Sequence, residues 1–367
     1  VIGLIALVPR NQLNDEFVKY FDDSVQFRID TDFTTSNLTG IYNIAYSLES
    51  GESGGISEPA YLNKLEEFAN WFRQQPEVLH VNSLSDTLKR LNQNLHADQP
   101  EWYRIPHSRE LAAQYLLLYE MSLPYGLDLN NQISVDKSAS KLDVTLKSVS
   151  SNRVIALEES AQQWLQQNAP PAMQVNGASP AIMLSHIGAR NIHSMLGGTT
   201  VALLLISFIL VFALRSLRIG LISIIPNLVP AAMAFGLWGM LVGQVGLALS
   251  VVTGMTLGIV VDDTVHFLSK YLRARREKSL SPADAVRYAF HTVGTALWTT
   301  SIVLIAGFLV LTGSPFELNS GMGLLTAITI GLALLADFLL LPTLLMTLDK
   351  KENYVSSLVA DPAESVV

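Results

Sequence analysis

The chain contains no cysteine. That excludes disulfides, thiolate metal sites and a cysteine nucleophile, and it leaves the compartment open. Charge is scarce too: 15% of the 367 residues are Asp, Glu, Lys or Arg, against 49% hydrophobic. Soluble domains carry about 25% charged residues, so a membrane protein is the first inference. The formal net charge of -8 argues against nucleic acid as a partner. His80, His96, His107, His186 and His193 show no metal-ligand spacing and no neighbouring nucleophile motif. The sequence therefore predicts no cofactor, no metal and no enzymatic site.

What is present divides along the chain. Residues 10–190 read as an ordinary water-soluble mixture, while residues 191–348 are dominated by long apolar runs. Five spans are expected in the second part, at about 196–214, 219–242 (with Pro226 and Pro230), 245–268, 293–311 and 322–346. The first residues, Val1-Ile-Gly-Leu-Ile-Ala-Leu-Val8, are apolar but far shorter than the roughly 20 residues a spanning helix needs. Residues 1–9 are read as the outer end of a truncated transmembrane helix, so further chain is expected upstream.

The flanks of these spans are asymmetric. Arg215 and Arg218, then Lys270, Arg273, Arg275, Arg276 and Lys278, then Lys350 and Lys351 fall on one side. The opposite loops, Gly243 to Gly246 and Gly313 to Gly321, have neither lysine nor arginine. The positive-inside rule puts the basic loops and a tail of residues 349–367 in the cytoplasm. Residues 10–190 then lie outside, which in a bacterium with two membranes is the periplasm, and the chain is multi-pass in the inner membrane. The basic run Lys270 to Lys278 is read as a topology anchor, not as a patch for nucleic acid or anionic lipid.

In the outside region the periods of sheet and helix alternate. Ile41 to Leu48 alternates like a strand, Ser57-Glu-Pro59 starts a helix running to Arg73, and Val78 to Val81 is a short strand followed by a helix to Leu95. The order recurs with a strand at Leu142 to Val149, a helix from Arg153 to Gln167 capped by Asn152, and a strand at Met173 to Gly177. Between the repeats, Ser108 to Glu120 is an amphipathic helix. The fold class expected is an α+β membrane protein. Two βαβ-type units would form a ferredoxin-like external layer, joined to a five-helix transmembrane bundle and the end of a sixth helix.

The stretch Gly258-Ile-Val-Val-Asp-Asp-Thr-Val-His-Phe267 sets two adjacent carboxylates in an apolar span. Aspartate at the centre of a membrane helix costs about 2.5 to 3.5 kcal/mol on insertion scales. Such residues face a protein interior or an aqueous cavity and are functional candidates. Gly254, Gly258 and Asp262 share one face at i, i+4 and i+8, His266 extends it, and Asp263 points about 100° away. The two glycines are expected to admit a neighbouring helix closely, burying that face. Asp337 interrupts the last span, roughly as deep below the outer surface as Asp262, near 23 Å at 1.5 Å per residue. Thr299, Thr300 and Ser301 supply hydroxyls in the same zone, either to the carboxylates or back to their own helix. Desolvated carboxyl groups that exchange protons suit a proton pathway. Metal chelation would need more ligands than the sequence offers.

These residues resemble a known family. Leu257-Gly-Ile-Val-Val-Asp-Asp-Thr-Val-His266 is similar to the intramembrane motif of the resistance-nodulation-division (RND) superfamily, most closely its MMPL-type exporters of hydrophobes and lipids. Those exporters are related to Patched and the sterol-sensing-domain proteins. Asn227-Leu-Val-Pro230, Gly307-Phe-Leu-Val-Leu311, Ala336-Asp-Phe-Leu-Leu-Leu-Pro342, Tyr103-Arg-Ile-Pro106 and Gln114-Tyr-Leu-Leu-Leu-Tyr119 look like other parts of that family. The resemblance implies one half of a two-half transporter, the C-terminal one, with an external porter domain. It implies a proton relay on the span holding Asp262 and Asp263, joined here by Asp337 and His266. The implied activity is export of a hydrophobic or lipid-like substrate driven by the proton-motive force. The implied partners are membrane lipids, that substrate, the missing N-terminal half, a homo-oligomer and a periplasmic protein. A lipid-sensing relative that does not pump, or a SecDF-like aid to polypeptide export, are the alternatives.

Overall fold

The structure is a computed structural model that describes residues 1–124 and 126–349. The chain forms two compact units: Asp15–Ala189, and Val1–Asn14 together with the residues from Arg190 onward.

In the first unit, alternation drives the sheet. Along β1 (Tyr42–Glu49), Ile44, Tyr46 and Leu48 point inward and are fully buried. β2 (Val78–Asn82) and β3 (Ala139–Leu146) complete a three-stranded sheet in the order β1-β3-β2, both pairings antiparallel. After α1 (Gln26–Asn37), helix α2 (Pro59–Arg73) has proline in its first turn and buries Leu62, Leu65, Phe68, Ala69 and Phe72 on one stripe. Ser83 caps α3 (Leu84–Leu95) by accepting from the Asp86 N–H, and Ser108 caps α4 (Arg109–Ser122) from the Leu111 N–H. Helix α5 (Ser151–Asn168) contributes Val154, Leu157, Ala161 and Leu165 to the same core.

Three expectations need correction here. The cap position of α5 is Ser150, not Asn152, because the helix begins two residues earlier than its apolar period. The strand expected at Met173–Gly177 is reduced to a 3-10 turn, Pro171–Met173, and one antiparallel bridge between Ala45 and Ala178. Helix α1 was not anticipated: Phe27, Ile29 and Phe33 are exposed, and Thr31 is its buried residue.

The second unit holds helices long and apolar enough to cross a membrane, the first of which has its opening ten residues in Asp15–Ala189. Among the described residues there are five: α6 (Pro180–Ala213), α7 (Leu217–Leu241), α8 (Leu247–Glu277), α9 (Pro282–Leu311) and α10 (Glu317–Leu348). Each begins close to or ahead of the expected start, and α6 begins 16 residues before Leu196. Close helix contact is also carried by glycines that were not expected to carry it. A Cβ on Gly236 of α7 would overlap the Leu4 carbonyl, and one on Gly323 of α10 would lie 2.7 Å from the Phe308 carbonyl of α9. The short N-terminal helix Ile2–Ile5 thus packs on α7, where Asn11 Nδ2 also donates to the Phe235 carbonyl at 2.7 Å. The basic residues at the end of α8 are structural anchors. Arg276 donates to the Leu214 carbonyl at 2.7 Å, and Arg275 meets the Asp349 carboxylate at 3.0 Å. Lys350, Lys351 and the rest of the tail lie outside the described residues.

Candidate functional site

The acidic residues sit near two wide turns. α9 and α10 each contain a π-helical segment, Phe290–Gly294 and Ala336–Leu340. Such single-turn insertions break the regular ladder and often mark functional positions. Phe290 and Phe338 bring the two segments together at 5.1 Å between ring centroids, with Phe267 of α8 against Phe290 at 4.9 Å.

Asp337 lies inside the second wide turn and is 3% exposed. Its Oδ1 accepts from the Thr264 hydroxyl of α8 at 3.2 Å. Asp263, half-buried on α8, accepts from the Ser301 hydroxyl of α9 at 3.3 Å, and lies close enough to Asp337 to interact with it electrostatically. Three helices therefore converge on a pair of carboxyl groups, each held by one hydroxyl. Ser301, 1% exposed, and Thr264, fully buried, complete the cluster.

The other face of α8 differs from the expectation. Gly254, Gly258, Asp262 and His266 do share one stripe, but it lies on the outside of this chain. The Asp262 side chain is 71% exposed and that of His266 59%, and the two meet at 3.4 Å. No atom lies within 4 Å of where a Gly258 Cβ would stand, so within this chain Gly258 does not serve helix packing, and Gly254 meets only the Thr199 hydroxyl, at 3.3 Å. The hydroxyls of Thr299 and Thr300 donate to the Thr295 and Ala296 carbonyls of their own helix, the alternative that sequence leaves open for such residues, although Thr300 lines the same groove as Asp262 and Asp263. Asp337 accepts from Thr264 and interacts electrostatically with Asp263, because the 100° step between neighbours sends the two adjacent aspartates to different surroundings.

Asp262, Asp263 and His266 border an open groove of about 650 Å³ between α8 and α9, whose apolar wall includes Ile259, Val293 and Leu304. The groove reaches Asp263, and Asp263 stands next to buried Asp337. A proton acceptor with one side open and a second acceptor behind it can pass a proton inward without crossing bare hydrocarbon. Sequence reasoning missed Thr264. Its signal is the buried stripe Thr256, Val260, Thr264 at intervals of four on an otherwise apolar helix.

Comparison with known proteins agrees with a membrane assignment. Over 190 residues the chain is 25% identical to a protein of Methanocaldococcus jannaschii named only as a membrane protein. The match covers 52% of this chain and 48% of that protein, so the chain spans about half the length of the curated relative it matches. The profile of the MMPL family matches residues 69–357, most of the chain, including α8, α9 and α10. With five apolar helices of spanning length and an acidic cluster between three of them, the chain belongs to the MMPL family, of the RND type, and is a multi-pass membrane protein whose family points to membrane transport.

Proposed function

We propose that the chain is half of a proton-motive-force-driven RND-type exporter, moving a hydrophobic or lipid-like substrate. The observation that carries the reading is Asp337, 3% exposed among apolar helices, with Asp263 beside it and a groove leading to Asp263. Proton arrival at Asp263 and transfer to Asp337 would exchange the Ser301 and Thr264 hydrogen bonds. That exchange gives α8, α9 and α10 two alternative arrangements, which is what coupling to substrate movement requires. Asp262 and His266, on the exposed stripe, would face the partner half, a second copy or an aqueous access route.

The unit Asp15–Ala189 would be the external porter domain, periplasmic in an inner-membrane protein whose C-terminus is cytoplasmic. Its strand order with the Ala45–Ala178 bridge supports a ferredoxin-like layer whose last strand is almost lost. Periplasmic partners and membrane lipids complete the proposed assembly.

The test is gradient-driven efflux of a hydrophobic reporter from cells that express the gene, with wild type compared with Asp263→Asn and Asp337→Asn. Each carboxamide keeps the side-chain shape and removes the exchangeable proton, so each should abolish gradient-dependent export at unchanged membrane abundance. Undiminished efflux in both variants sinks the proposal and favours a lipid sensor that does not pump.

A further inference from the structure

A second polar site lies in the same unit, on the side of α8 away from the acidic groove. Asn227 of α7 is 2% exposed, and neither its amide nitrogen nor its amide oxygen has a hydrogen-bond partner. It borders a cavity of about 170 Å³, partly open beside the half-exposed Leu228, whose other polar lining is Thr199, Thr200, Thr253, Thr256 and Thr329. All five hydroxyls donate to carbonyls of their own helices, those of Thr253, Thr256 and Thr329 to Ser250, Val252 and Leu325 at 3.0, 2.7 and 2.7 Å. Their oxygens therefore remain available to the cavity as acceptors. No charged side chain lines it.

The chemistry of the lining selects its occupant. The Asn227 amide requires a group that accepts from its NH₂ and another that donates to its oxygen, and the threonine oxygens also need donors. A metal cation or an anion satisfies one half of that demand and leaves the other unmet. A neutral molecule that both donates and accepts satisfies all of it, and the space suffices for several waters with polar partners available.

We infer that this cavity is a hydrated site inside the helix bundle, its water held by Asn227. Val260 of α8, 2% exposed, borders the cavity and precedes Thr264, the donor to Asp337, by one helical turn. Internal water thus stands one apolar side chain away from the buried carboxyl pair. The significance of that adjacency for proton delivery rests on the transport reading, whereas the hydration itself does not.

Hydroxyl-radical footprinting of the full chain in lipid nanodiscs, read by mass spectrometry, tests the inference, because the radicals arise from water. Leu257 and Leu203, which line the cavity, should be oxidised severalfold faster than Leu345, which is fully buried in an apolar cluster. Asn227→Leu should bring them down to the Leu345 rate, while Asn227→Ser, which keeps a polar group, should retain much of the labelling. A Leu345 rate unchanged across variants reports an intact bundle. Cavity leucines as inert as Leu345 in the wild type, or labelling indifferent to Asn227→Leu, overturn the inference, and so does a co-purifying lipid that shields them. Failure here would leave the efflux result with Asp263 and Asp337 standing, and loss of that result would leave the labelling untouched.

Discussion

The two units of this chain solve opposite solvent problems. In Asp15–Ala189, Tyr46, Phe68 and Phe72 are fully buried, and many charged side chains form exposed or half-buried pairs such as Arg73 with Asp86. In the helical unit the exterior is apolar instead. Leu204, Phe208, Val303 and Val310 are more than half exposed, while Ser250, Thr264, Thr326, Asn227 and Asp337 are inside. Apolar burial beneath a polar exterior holds the first unit together, as in domains that fold in water. Hydrocarbon offers the second no such drive, so close packing and internal polar contacts hold its helices. Buried polar side chains therefore occur in both units, beneath a polar exterior in one and an apolar exterior in the other.

Three substitutions break or sharpen that contrast. Phe68→Ala removes a ring packed against Tyr46, Trp71, Phe72 and Trp164. It should cost about 3 to 5 kcal/mol, as large-to-small core changes do. Hydrogen exchange of β1 and β3 in the full chain reads the loss, and protection within about 1 kcal/mol of wild type would contradict an aqueous-type core.

Leu204→Arg, near the middle of the apolar part of α6, should cost about 2.5 to 3.5 kcal/mol in membrane insertion. A glycosylation-reporter insertion assay measures it. Insertion equal to wild type would mean that this face does not meet hydrocarbon.

The smallest effect belongs to the Asp86 cluster, where Asp86 is flanked by Arg73 and Lys89. Desolvation pushes the Asp86 carboxyl upward, but the Ser83 hydroxyl and the two cations outweigh it and hold it below the usual aspartate range. Its stabilisation is then fully present above the unfolded value, near pH 3.9, and is lost as pH falls through the lower folded value. The contribution should stay below about 1 kcal/mol because solvent screens a partly exposed pair. Asp86→Asn should flatten the acid limb of the unfolding profile, and an unchanged limb would remove Asp86 from it.

The legible parts of this fold are those where a period or a cost is written locally. Apolar length marks the five spans, the two-residue period marks β1 and β3, and the expense of a carboxylate in hydrocarbon marks Asp263 and Asp337. What stayed hidden depends on which neighbour each face meets. The spacing of Gly254, Gly258 and Asp262 correctly puts them on one stripe, but nothing local says whether that stripe is covered. Thr299, Thr300 and Ser301 are chemically alike, and only the rotation of α9 selects Ser301 as the partner of Asp263. Asn227 reads as part of a family-like helix, and its free amide is visible only once α8 and α10 are packed around it. The strand at Met173–Gly177 failed for another reason: Pro170 and Pro171 just ahead of it start a 3-10 turn that takes up Met173, and a single bridge at Ala178 is what survives.

The wide turn at Ala336–Leu340 also sets the angular phase of everything after it. In an uninterrupted α-helix, residues 337 and 349 would lie roughly 120° apart around the axis, but one extra residue in the turn brings them to within roughly 20°. Asp337 and Asp349 consequently face the same neighbour, α8. Thr264 meets the first at 3.2 Å, and Tyr271 and Arg275 meet the second at 2.5 and 3.0 Å. A single surplus residue thus serves as a phase correction that fastens the last helix to α8 at two levels, an intramembrane one through an uncharged hydroxyl and a terminal one through an ion pair.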